Sequence, residues 1–224
     1  MLNFPLMVIG VGIIGASGKM GLRLLDAGSK DSEIFIAGTA SHANEFERLQ
    51  QADIAIDFSN ASLLPKILEF GLRTKKPLVI GTTGHGKAEL EEMKEASRHL
   101  PIFHAPNFSI GIAVLIEAVK NIANSLPSDF SISIEEWHHI HKKDAPSGTA
   151  LAIAAALDQK KPTIHSKREG EIIGEHEVVF STPEEKILLR HSAVSRDLFA
   201  KGALFAAKFL IKKPAGLYTM ADLL

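Results

Sequence analysis

Five short apolar runs dominate the first half of the chain, and they leave few folds open. They are Leu6–Ile14, Ile34–Ala40, Asp53–Phe58, Pro77–Ile80 and Pro101–His104. Between them, Lys19–Gly28, Leu63–Leu72 and Lys87–His99 carry apolar residues at helical spacing. Short strands alternating with helices predict βαβ units and a mostly parallel sheet, joined by right-handed crossovers.

The pattern changes after Asn107. Ile110–Ser125 is a long apolar-periodic helix, Phe130–Trp137 a strand and Ser147–Leu157 an alanine-rich helix. Glu177–Ser181 and Lys186–His191 read as paired strands around a Pro183-Glu184 turn, and Asp197–Ile211 as a last helix stopped at Pro214. The polar, lysine-rich stretch Asp158–Gly174 reads as a surface loop. The expected fold class is α/β: a parallel-sheet domain over residues 1–109, then a smaller α+β mixed-sheet domain over 110–194.

Charge and composition narrow the function. Lys plus Arg number 25 against 26 Asp plus Glu, a formal charge of −1. That balance argues against nucleic acid or a membrane surface as a general partner. With no cysteine, thiolate catalysis, disulfides and cysteine-ligated metal are excluded. No apolar stretch reaches the ~18 residues of a membrane span. Met1–Gly15 lacks the basic start of a secretion signal and reads as a buried strand. A cytoplasmic location is expected.

Two glycine patterns overlap at the first turn. Gly10–Gly15 is a literal G-x-G-x-x-G, and Gly15–Gly21 is G-x-x-G-x-x-G. A phosphate-binding turn must end a strand and open a helix, so that free N–H groups face the phosphates. The first pattern would cut the strand short and put Ile13 and Ile14 into the helix start, so the second is chosen. In that reading Gly15 makes the tight turn, Ala16, Ser17, Gly18, Lys19 and Met20 supply backbone N–H groups, and Gly21 lets helix and sheet approach. The second strand ends in Ser41-His42 with no acid before Glu45. Nothing there repels a 2′-phosphate, so both NADPH and NADH are expected.

Three more strand ends are small and polar: Asp57-Phe58-Ser59, Gly81-Thr82-Thr83-Gly84 and Ala105-Pro106-Asn107-Phe108. Ligands of open parallel sheets sit outside such ends. The densest chemistry lies further on, in Glu136-Trp137-His138-His139-Ile140-His141-Lys142-Lys143-Asp144-Ala145-Pro146-Ser147-Gly148-Thr149. Imidazoles transfer protons near neutral pH. Pro146–Thr149 reads as a helix start whose N–H groups and hydroxyls can hold a carboxylate. A metal site on His138, His139 and His141 is disfavoured, because neighbours on a strand point to opposite faces. A non-catalytic dinucleotide-binding module would keep the glycine turn and have no use for His138 or Lys142.

The run Glu136–Ala150 closely resembles the E-x-H-H-x-x-K-x-D-A-P-S-G-T-A signature of the dihydrodipicolinate reductase family. Gly15–Gly21, Asp57-Phe58-Ser59, Gly81–Gly84, Ala105–Phe108, Arg168-Glu169-Gly170, Gly174-Glu175-His176 and Ser195-Arg196 follow in the family's order. The resemblance implies a Rossmann-like domain to which residues 195–224 return, and a second domain that binds substrate and builds a homotetramer. It implies NADPH or NADH as cofactor and a small dicarboxylate as substrate, in the diaminopimelate route to lysine, with no metal required. By the same resemblance His138 is the proton donor and acceptor, Lys142 a proton donor, and His139, Gly148 and Thr149 substrate ligands. Cofactor contacts come from Gly15 to Met20, from Gly81, Thr82 and Thr83, and from Ala105, Pro106, Asn107 and Phe108. The chain is shorter than common members between His42 and Asp53, which opens the adenosine side of the cofactor site.

Overall fold

The computed structural model describes residues 8–157 and 160–224. The described residues divide into two compact units, residues 8–108 with 199–223, and residues 109–157 and 160–198 with Leu224.

The first unit is a six-stranded parallel sheet. Its strands are β1 (Ile9–Ile14), β2 (Ile34–Ala40), β3 (Ile54–Asp57), β4 (Leu78–Ile80), β5 (Pro101–His104) and, from the C-terminal region, a strand Gly216–Tyr218 that pairs with β5. The order is Gly216–Tyr218, β5, β4, β3, β1, β2. The chain therefore reverses direction across the sheet between β1 and β3, the position where open α/β sheets form a ligand crevice. Part of the expected first strand, Leu6 and Met7, lies outside the described residues, as does the rest of Met1–Met7.

Strand periodicity explains the two cores. Ile9, Val11 and Ile13 face a cluster with Leu24 of helix α1 (Lys19–Ser29) and with Ala200, Ala203, Ala206, Ala207 and Leu210 of the last helix. Ile14, Ala55, Leu78, Ile80 and Ile102 face the other cluster, under α2 (Leu64–Thr74) and α3 (Lys87–Ala96). Each fully buried Leu or Ile contributes roughly 2 kcal/mol of apolar transfer. Gly10 and Gly12 belong to β1, not to a turn. A Cβ on Gly12 would stand 3.1 Å from the Ala52 Cβ, and one on Gly10 2.8 Å from the Phe35 ring. Their smallness serves packing against the strand, so the G-x-G-x-x-G of residues 10–15 is not the phosphate turn.

The second unit pairs α4 (Ile110–Ser125) and α5 (Gly148–Ala156) with a four-stranded mixed sheet. Its strands are β6 (Ser131–His138), β7 (Thr163–Arg168), β8 (Glu175–Ser181) and β9 (Lys186–Ser192), in the order β7-β6-β8-β9. Strands β6 and β7 run parallel and the other pairs antiparallel. Ile132, Ile134, Val178 and Phe180 pack with Ile112, Leu115, Val119 and Ile153. The opposite face carries Trp137 between the Lys167 ammonium, 4.7 Å from the ring centroid, and the Arg190 guanidinium at 5.2 Å.

Two expectations are corrected. The stretch Asp158–Gly174 is not simply a loop: Thr163–Arg168 is an edge strand, hydrogen-bonded to β6 through its backbone. An edge strand with mostly exposed side chains tolerates His165, Ser166 and Lys167, so its sequence carries no apolar alternation. The strand Gly216–Tyr218 (β10) was not expected, being three residues long and following the last helix, α6 (Asp197–Leu210). No helix among the described residues is long and apolar enough to cross a membrane.

Candidate active site

In the first unit the chain turns sharply at Gly15, whose φ of +84° suits glycine. The Gly15 and Ala16 amides donate to the Ala40 carbonyl and the Gly18 amide to the Gly15 carbonyl. Helix α1 starts at Lys19 after Gly18, and no side chain caps it. Its first N–H groups thus face outward beside exposed Ser17, Gly18 and Lys19, an arrangement suited to an anion. A Cβ on Gly21 would lie 2.2 Å from the Gly15 carbonyl oxygen, so only glycine lets the helix come this close.

The ends of β3, β4 and β5 lie along the same edge. Asp57 is buried, and burial pushes its carboxyl above the usual range against the bonds from Ser59 and Thr82. The Thr82 hydroxyl accepts from the Ser59 amide at 2.8 Å. A Cβ on Gly81 would enter the Phe58 ring, which in turn packs 5.5 Å from the Phe108 ring. Thr83 and Pro106 are exposed and Asn107 half-buried, while Ala105 and Phe108 belong to the core.

The end of β2 holds a carboxylate after all. Glu45 folds back so that Oε2 accepts from the Ser41 amide at 2.7 Å and the His42 amide at 3.2 Å. Those bonds, the Ser41 amide first, hold its carboxyl below the usual range, and Arg48 pairs with Oε1 at 2.8 Å. The spacing His42-x-x-Glu45 is a capping box of the 3-10 segment Ala43–Leu49, so the signal was present in the sequence.

In the second unit His138 ends β6 on its buried face, with a side chain 10% exposed. Its Nδ1 stands 2.5 Å from Glu136 Oε2, and its ring lies 5.3 Å from that of His176 on β8. Burial holds the His138 imidazole below its ordinary pKa; Glu136 opposes this and Lys142 and Arg168 reinforce it. Burial, helped by the charge of His138, takes His176 down to about 4. Lys142 Nζ pairs with Asp144 Oδ1 at 2.9 Å. His139 is half-buried and its ring lies 6.2 Å from that of exposed His141.

Helix α5 begins at Gly148, capped by buried Ser147, whose hydroxyl accepts from the Ala150 amide at 3.1 Å. That hydroxyl is therefore engaged in capping rather than free for a ligand. Gly148 is exposed and a Cβ there would meet nothing within 4 Å; Thr149 is half-buried. The fold thus brings His138, His139, Lys142, Gly148 and Thr149 into one unit, and the glycine turn and three strand ends into the other.

Sequence reasoning gave no role to Glu136 or His176. Glu136 reaches His138 as its neighbour two residues back on the same face of β6, whereas His176 arrives through sheet register, opposite Glu136 across β6 and β8, which a linear pattern does not display. Glu136, His138 and His176 also offer three ligand atoms within 4.8 Å of one another. Nδ1 of His138 and Oε2 of Glu136 are in ion-pair contact at 2.5 Å, and Arg168 holds the other carboxylate oxygen at 2.9 Å.

Comparison with known proteins finds relatives over nearly the whole chain. Residues 9–108 match the family model described as dihydrodipicolinate reductase, N-terminus, and residues 111–224 the one described as its C-terminus. A curated 4-hydroxy-tetrahydrodipicolinate reductase of Caldanaerobacter subterraneus subsp. tengcongensis is 41% identical, over 97% of this chain and 98% of that protein. One of Xanthomonas campestris pv. campestris is also 41% identical, over 94% and 95%. The solved dipicolinate-bound dihydrodipicolinate reductase of Paenisporosarcina sp. TG-14 shares the fold, with a TM-score of 0.84 at 22% identity, over 97% of this chain and all of that one.

Proposed function

The chain belongs to the dihydrodipicolinate reductase family, and from that premise we infer how its residues perform the reaction for which its relatives are named. It is an NAD(P)H-dependent oxidoreductase, a 4-hydroxy-tetrahydrodipicolinate reductase. The observation that carries the assignment of roles is the buried imidazole of His138, held against a carboxylate beside Lys142 and the open start of α5.

The first unit fits a dinucleotide. The uncapped N–H groups at the start of α1 and the close approach at Gly21 leave a backbone cradle for a pyrophosphate. Gly15, Ala16, Ser17, Gly18, Lys19 and Met20 would hold it, with Gly81, Thr82, Thr83, Ala105, Pro106, Asn107 and Phe108 toward the nicotinamide end. When bound, the nicotinamide supplies the hydride. In the second unit His138 gives and takes the proton and Lys142 donates one, while His139 and the Gly148-Thr149 turn bind the carboxylates. A dianionic substrate gives a reason for Lys142, Lys143 and Arg168 to stand near the turn in a protein of balanced charge.

The second unit also serves as the oligomerisation surface, through the sheet face that carries Trp137 and Arg190. Light scattering of the purified protein checks the homotetramer, and a cytoplasmic place goes with an enzyme of lysine biosynthesis. The deciding experiment supplies NADH or NADPH and freshly made product of dihydrodipicolinate synthase. Substrate-dependent loss of reduced-nicotinamide absorbance is expected; no loss with either cofactor would overturn the reading.

A further inference from the structure

Glu136 has no part in the roles assigned so far, yet it is completely buried at the centre of the site. Its Oε2 lies 2.5 Å from His138 Nδ1. Its Oε1 accepts from Arg168 Nη2 at 2.9 Å and from the Ser147 amide at 3.2 Å. We propose that Glu136 is a positioning residue, which fixes His138 in the Nδ1–H tautomer so that Nε2 exchanges the proton, and ties that imidazole to the Ser147–Thr149 turn.

The distance sets the tautomer. A carboxylate oxygen 2.5 Å from Nδ1 repels a bare lone pair there and attracts a proton, so it favours the Nδ1–H form. A neutral imidazole has one N–H, and placing it on Nδ1 leaves Nε2 unprotonated. That nitrogen has room because residue 174 is glycine: a Cβ there would stand 3.0 Å from Nε2.

The surroundings keep Glu136 charged. Burial would raise its carboxyl, but Ser166, Arg168 and His138 together hold it below the usual range. The groups around His138 are Glu136 on β6, Arg168 on β7, His176 on β8 and Lys142 in the following loop, with His191 on β9 beyond His176. Of these, Glu136 raises the proton affinity of His138, whereas Lys142 and Arg168 lower it. The Ser147 amide that Glu136 accepts from belongs to the residue capping α5, so one carboxylate fixes both the imidazole and the helix start.

The inference rests on His138 as the proton-transferring residue, and the test separates the two. In Glu136→Gln the side-chain volume stays and the charge goes. Turnover is expected to fall about tenfold or more, the direction seen when a histidine loses its orienting carboxylate, with the NADH dissociation constant unchanged. The pH limb assigned to His138 should move to lower pH, and Glu136→Asp should return it partway. Nitrogen-15 imidazole spectra of the wild type should show His138 protonated at Nδ1, and those of Glu136→Gln a changed tautomer ratio. An Nε2–H tautomer in the wild type overturns the proposal even if the variant fails to fold. So does a variant that loses thermal stability while tautomer and pH limb stay put. Near-normal turnover in His138→Ala would instead overturn the proton-transfer role, and the spectra would still judge Glu136.

Discussion

In the first unit ionisable side chains stop at the strand ends: Asp57 closes β3, and Glu45 is folded onto the end of β2. In the second they continue into the sheet, where Glu136 and His138 share a face with Ile132 and Ile134, and His176 with Val178 and Phe180. A parallel sheet covered on both faces has no buried place for charge, so its chemistry is left to backbone N–H groups at the edge. The smaller sheet packs helices on one face and can shelter a few charges at its end. It does so at a desolvation cost that mutual pairing must offset. The two halves therefore fail in different ways: the first through shape, the second through charge.

The largest effect expected is steric and lies in the first unit. A Cβ on Gly202 would stand 1.8 Å from the Phe108 carbonyl oxygen, so Gly202→Val should prevent α6 from seating and leave little folded protein, as measured by circular dichroism and soluble yield. In the second unit, His138→Ala and Lys142→Ala should each lower turnover about a hundredfold or more with the fold and NADH affinity kept. Steady-state kinetics and cofactor fluorescence check this. If either substitution weakened NADH binding instead, the division between the halves would be broken.

A pH titration of stability sharpens the same contrast. The folded pKa of His176 is about 4, far below its ordinary value of 6.5. The unfolded chain therefore takes up the proton first as pH falls. The stability held by neutral His176 is complete above about pH 6.5 and is lost toward pH 4, by up to about 3 kcal/mol. Thermal melts across that range should show the loss, and His176→Gln should flatten it.

Next in size, Gly148→Val should raise the substrate KM about tenfold in a folded protein. The space around Gly148 is empty of protein atoms, so the added methyls would crowd the ligand rather than the chain. A normal KM would remove the turn from the substrate site. The smallest effect concerns the cofactor: Glu45→Gln, which removes the charge at the end of β2, should shift the NADPH-to-NADH ratio of kcat/KM a few fold toward NADPH. An unchanged ratio would show that this strand end does not read the ribose.

What was legible in the sequence follows the same physics. Helices α1 to α6 and strands β1 to β5 carry strong apolar signals, amphipathic in most of the helices and continuous in the buried strands, and their bounds differ from the expected ones by a few residues at most. β7 was hidden because backbone pairing at an open edge asks little of its side chains. His138 and Lys142 stood out because their neighbours in sequence are also their neighbours in space. Glu136 stood in the same run, but its task depends on Arg168 across the sheet, and that of His176 on a strand pairing forty positions away. The carboxylate of Glu45 lies four residues past Ser41, so the strand end itself does not display it, and only the three-residue spacing from His42 announces the bond.

The order of synthesis gives the last strand a further meaning. Residues 109–198 form a contiguous unit, whereas the parallel sheet needs Gly216–Tyr218 beside β5 and Phe209 against Phe103. The residues of the second unit are thus made before the strand and the ring that complete the first, which until then has an unpaired β5 edge and an uncovered Phe103. An open edge of that kind recruits other strands until its own arrives. Chaperone demand is accordingly expected to fall on the N-terminal half of the nascent chain and to end when the C-terminal strand emerges. A ribosome stalled after residue 198 would release a chain whose second unit is whole and whose dinucleotide half is still seeking its final strand.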